Sequence, residues 1–126
     1  MGVKAKPTSS ELGILKVLWE RGPSTVRQVH ESLGANGGGY TTTLKLMQIM
    51  AEKGLVERDE RERAHVYRAK LEQEAAQGRL LDELVERVFG GSAAALVMRA
   101  LETRSASKQE LREIRRMLDE FEGGRR

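Results

Sequence analysis

The sequence predicts a mainly α-helical chain with one small β-hairpin, and three observations predict it. Apolar residues recur at spacings of three and four through most of the 126 positions, the period of a helix with one buried face. That period changes to two only between residues 55 and 69, directly after Gly54. Glycine-rich breaks at 34–39, 54 and 90–91 divide the periodic stretches into short elements.

The first helix is expected over residues 10–21, capped by Ser9 or Ser10, with Leu12, Leu15, Val17, Leu18 and Trp19 on a broad apolar face. Gly22-Pro23 ends it. Ser24 or Thr25 caps a short second helix to residue 33, where Thr25 and Gln28 have the spacing of a capping box and Val26, Val29 and Leu33 line one side. "GANGGG", residues 34–39, reads as a flexible break. A third helix is expected over 41–53, with Leu44, Met47, Met50 and Ala51 inward and Gly54 as a left-handed C-terminal cap. "LVERDE" then reads as a strand anchored by Leu55 and Val56. "AHVYRA" reads as its partner with Val66 or Tyr67 packing, and "DERER" as the charged turn between them. From residue 71 the chain is helical again. Leu80, Leu81, Leu84, Val85, Val88 and Phe89 mark one helix, "SAAALVMRALE" a second, and Leu111, Ile114, Leu118 and Phe121 a third that opens on a Ser107/Glu110 capping box. "GGRR" is a frayed basic tail.

This length suits one domain or one small domain with an appendage, and we divide it into residues 1–70 and 71–126. The absence of cysteine excludes a disulfide, a thiolate metal site and a cysteine nucleophile. No apolar run reaches membrane-spanning length and the N-terminus lacks a signal-peptide core, so a soluble cytoplasmic protein is expected. The net charge of +3 is unevenly spread. Residues 1–70 hold twelve Lys/Arg against eight Asp/Glu, and residues 71–126 ten against eleven. The front half is therefore the part suited to an anionic polymer.

Three helices followed by a hairpin is the order of a winged helix-turn-helix, in which the helix after the turn enters the major groove and its first turn reaches the base edges. The "YTTT" opening of the third helix fits that role. Threonine is a middling helix former, but it is short, donates and accepts hydrogen bonds, and offers a methyl group to thymine. Thr41 and Thr42 are expected to face DNA, with Lys45 on the same side at i+4 and i+3 and Gln48 one turn further. Tyr40 at the helix entrance is a candidate phosphate contact, and Thr43 is expected to pack or cap. In the hairpin turn Arg63, and after it Arg61, are candidates for phosphate or the minor groove, opposed by Asp59, Glu60 and Glu62. The start of the second helix, Ser24 to Arg27, offers a further phosphate clamp with Arg27 assisting, and Lys4 and Lys6 form a short basic arm.

The last 56 residues carry more leucine and valine than three short helices can bury among themselves, so a symmetric homodimer is expected. Two linked half-site contacts then act as one strong one on a palindromic, double-stranded DNA operator. His30 and His65, the two histidines, show no metal-ligand spacing and read as ordinary surface or edge residues; no paired carboxylates or phosphate loop appear. No enzyme, metal or cofactor is expected. A winged-helix interaction adaptor without sequence-specific DNA binding is the competing reading.

The segments "ELGILKVLWERGPSTVRQVHESL", "YTTTLKLMQIMAEKGLVERDERERAHVYRA" and "LLDELVERVFGG" resemble the BlaI/MecI-like penicillinase and methicillin-resistance repressors and their copper-responsive relatives, over nearly the whole chain. The resemblance implies bacterial transcriptional repressors that bind dyad-symmetric operators as homodimers. It matches Thr41, Thr42 and Lys45 to recognition-helix contacts and Arg63 to the basic residue of the wing. It matches Leu80, Leu84, Val88, Leu96, Leu111, Ile114 and Leu118 to the dimerisation helices. In the antibiotic-responsive branch it also implies a membrane-bound sensor protease as partner, triggering cleavage in the region matching residues 87–91. Here "ERVFGG" lacks the asparagine–aromatic step of those repressors. The copper-responsive branch senses metal through cysteines, which this chain does not have.

Overall fold

A computed structural model describes residues 6–124. Its elements follow the expected order with one addition. They are α1 (Ser9–Arg21), β1 (Ser24–Thr25), α2 (Val26–Leu33), α3 (Tyr40–Lys53), β2 (Val56–Asp59), β3 (Val66–Ala69), α4 (Gln73–Val88), α5 (Ala93–Thr103) and α6 (Lys108–Gly123). Among the described residues the chain divides into two compact units, 1–82 and 83–126, with the division inside α4.

The first unit is built on α1. Its cap is Thr8, one residue before the two serines expected to serve. The Thr8 hydroxyl accepts from the Glu11 N–H at 3.2 Å and the Glu11 carboxylate accepts from the Thr8 N–H at 2.9 Å. The acid three residues after Thr8 is the signal that distinguishes it from Ser9 and Ser10. The same carboxylate is buried and takes Lys53 Nζ of α3 at 2.8 and 2.9 Å, so one residue ties the start of α1 to the end of α3. Ile14, Leu15 and Leu18 are buried against Val29 of α2 and Met47 and Met50 of α3.

Thr25 caps α2 in a full capping box with Gln28, as expected. It also lies in β1, which the sequence did not reveal because a two-residue strand has no periodicity to read. The sheet is antiparallel with order β1-β3-β2, Tyr67 standing opposite Ser24 on one side and Arg58 on the other. Of the two candidates on β3, Tyr67 is the buried one. Leu55 and Val56 are both buried, which successive residues of one strand do not normally achieve. Leu55 precedes the strand. Gly54 at φ +83° turns the chain so that the Leu55 N–H returns to the Met50 carbonyl at 2.9 Å. The Leu55 carbonyl accepts from Lys70 and Leu71 at the hairpin base, and the Trp19 indole donates to the Leu71 carbonyl at 3.0 Å. The expected break at 34–39 is in part ordered as a single 3₁₀ turn, residues 34–37.

In the second unit, Ser92 caps α5 through the Ala95 N–H and Ser107 caps α6 through the Glu110 N–H. Neither α5 nor α6 has a buried residue within the single chain. Leu84, Val88, Val97, Met98, Leu111 and Leu118 are all exposed, Val88 at 64% and Leu118 at 58%. Ile114 and Leu96 are half-buried, as is Leu80 in the first unit. No helix among the described residues is long and apolar enough to cross a membrane.

Candidate nucleic-acid interface

α3 is two-faced. Thr43, Met47 and Met50 are fully buried, and Thr41, Thr42, Lys45 and Gln48 are exposed. Among the described residues none of the four exposed side chains has a hydrogen-bond or ion-pair partner, which leaves their polar groups for a partner molecule. Ile49 is exposed beside them, four residues after Lys45, and the sequence reading omitted it. Its absence from the Leu44, Met47, Met50 stripe was the available signal. Thr43 packs as expected, its hydroxyl 3.5 Å from the Gly37 and Gly39 carbonyls. The helix opens on Gly39, which supplies no side-chain cap, so the first N–H groups of α3 are left open at the end where the helix dipole is positive.

Tyr40 is exposed at the helix entrance, and two residues of α2 hold its ring. The Arg27 guanidinium lies 5.1 Å from the ring centroid, within cation–π range. The His30 ring meets it edge-on at 5.7 Å. Arg27 and Tyr40, expected separately, thus form one site. With Gln48, Arg58, Arg63 and His65 they border a concavity of about 400 Å³ between α3 and the hairpin. Arg58 was missed because it sits on the predicted strand beside acidic residues; β2 nonetheless points it outward. His30 is half-buried and bonded rather than an ordinary surface residue, while His65 is exposed.

Ser24 does not belong to this surface. It is buried and its hydroxyl donates to the Gly22 carbonyl at 2.9 Å, because β1 turns it into the sheet. Lys6 is exposed, and Lys4 lies outside the described residues.

The hairpin neutralises most of its own arginines. Arg61 Nη2 meets Asp59 at 2.6 Å, Arg58 meets Glu60 at 2.7 Å, and Arg68 pairs with Glu57. Hydrogen bonds from the Arg61 side chain and backbone hold the Asp59 carboxyl down at about 2. Arg63 is exposed and, among the described residues, has no carboxylate partner. The mixed charge of "DERER" therefore resolves into one occupied arginine and one available arginine. No cluster of three metal-ligating side chains occurs among the described residues.

The penicillinase repressor family matches residues 7–120. Transcriptional regulator BlaI from each of two strains of Mycobacterium tuberculosis is 35% identical over 117 residues, covering 90% of this chain and 83% of the relative.

Proposed function

Because the chain belongs to the penicillinase repressor family, whose members are transcriptional regulators and not enzymes, we propose that it represses transcription by binding a dyad-symmetric promoter operator as a homodimer. The observation that carries this reading is the face of α3. Thr41, Thr42, Lys45 and Gln48 form a polar, partner-free surface on a helix anchored from behind by Thr43, Met47 and Met50. On this reading the first turn of α3 reads base edges in the major groove. The Tyr40–Arg27 pair and Arg63 seat the flanking phosphates. Residues 1–70 read DNA, and residues 71–126 bring two readers to one duplex through Leu84, Val88, Leu111 and Leu118, with Leu80, Leu96 and Ile114 beside them.

Selection of genomic fragments by the purified protein tests this. Recovered fragments should share a palindrome whose half-sites are spaced by a whole number of helical turns. Lys45→Ala should bind the recovered site at least tenfold more weakly at the same salt. Recovery of no common sequence at physiological salt would favour the interaction-adaptor reading.

The same proposal includes a membrane sensor protease as a partner acting on residues 87–91. There Arg87, Val88, Gly90 and Gly91 are exposed at the end of α4. Mass analysis of the protein from derepressed cells should find a cut in that segment; an intact chain there would remove the protease from the scheme.

A further inference from the structure

We propose that His30 is a positioning residue for the DNA-reading turn, an inference that rests on the DNA-binding role proposed above. Among the described residues, α1, α2, α5 and α6 begin with a side-chain cap, from Thr8, Thr25, Ser92 and Ser107. α3 does not; it opens on Gly39 behind Gly37 and Gly38. A helix start without a cap leaves its first N–H groups unsatisfied, and glycines upstream add backbone freedom. That is a poor basis for a turn that must present two threonines to a base pair, because ordering it on binding would subtract from affinity.

The missing restraint comes from α2. His30 Nδ1 lies 3.3 Å from Thr43 Oγ1. The Thr43 hydroxyl has the Gly37 and Gly39 carbonyls within 3.5 Å as acceptors for its own proton, which leaves its oxygen to accept from an Nδ1–H. The same imidazole ring abuts the Tyr40 ring at 85°, and Arg27, one turn earlier on α2, lies against that ring too. α2 therefore grips residues 40 and 43, the two that bracket Thr41 and Thr42. The bracketed pair stays exposed and unbonded. His30 acts through Tyr40 and Thr43 and has no need to touch DNA.

The test compares wild type, His30→Ala and His30→Asn. Their binding is measured on a genomic fragment recovered by wild type and on an unrelated duplex of equal length, together with amide exchange of the free proteins. For His30→Ala we expect about a tenfold loss on the recovered fragment, no more than a twofold change on the unrelated duplex, and faster exchange at Thr43, Leu44 and Lys45, the first amides of α3 that are hydrogen-bonded. His30→Asn, whose amide nitrogen occupies the position of Nδ1 and can still donate to Thr43, should stay within threefold of wild type on the recovered fragment. Equal losses on both duplexes, unchanged binding and exchange in His30→Ala, or a His30→Asn variant no better than His30→Ala would each overturn the inference. If wild type recovers no fragment, the DNA-binding reading fails by itself, and the exchange comparison still decides whether His30 holds the turn.

Discussion

Glu11 and Lys53 are an ion pair in which only the carboxylate is deeply buried, and that asymmetry orders the consequences of breaking it. Lys53→Met strands a buried charge and should cost about 3 kcal/mol. Glu11→Gln keeps an acceptor for the Thr8 N–H and lets Lys53 turn to water, and should cost about 1 kcal/mol. Urea unfolding of the two variants checks the order. Burial alone would raise the Glu11 carboxyl, but the Lys53 and Thr8 hydrogen bonds outweigh it and hold it below its ordinary 4.5. A depressed carboxyl contributes its stability above the unfolded value and loses it as pH falls through the lower folded value. The acid limb of wild-type stability should therefore be steeper below pH 4.5 than that of Glu11→Gln. In the hairpin, Asp59 stays ionised down to about pH 2 and keeps Arg61 occupied wherever DNA binding is measured. Asp59→Asn should release Arg61, tighten binding to any duplex, and steepen the salt dependence by about one ion. Arg63→Ala should do the opposite and by more than Arg61→Ala.

The start of α3 is a compromise between helix stability and groove access. Gly39 has extended backbone angles, and a Cβ built there meets nothing within 4 Å. Gly39→Ser should therefore cap α3 and stabilise the protein by a few tenths of a kcal/mol. Gly39→Asp should stabilise it too, but it puts a negative charge where phosphate is proposed to sit. A higher melting temperature with weaker DNA binding, read by calorimetry and titration on the same sample, is the expected pair of results. Gly37 has no such freedom, since a Cβ there would fall 2.7 Å from Leu33 Cβ. The helices were legible because their buried faces repeat at a fixed period, and the hairpin because that period changed at Gly54. The exposed polar face of α3 was legible because its hydroxyls run against helix propensity. What could not be read is contact between elements distant in sequence. The Arg27–Tyr40 stack, the His30–Thr43 bond and the inward turn of Ser24 all depend on where α2 and β1 lie, and no local pattern encodes that.

At the scale of the whole chain the two units differ in what they bury. The first closes its own core; α5 and α6 close none alone. Leu118→Asp should therefore shift the protein toward monomer in sedimentation velocity. It should also weaken binding to the full palindrome far more than to a single half-site. Trp19, the sole tryptophan, donates to Leu71 in the first unit. Its fluorescence should follow melting of the winged core and change little in Leu118→Asp at moderate temperature, while far-UV circular dichroism reports the loss of C-terminal helix.

Because the four polar side chains on the outer side of α3 carry no structural duty, they are free to vary. Residues 41, 42, 45 and 48 can be randomised together without disturbing the scaffold beneath them. If α3 reads the operator as proposed, descendants of such a chain would acquire new target sequences one substitution at a time, each intermediate still folded.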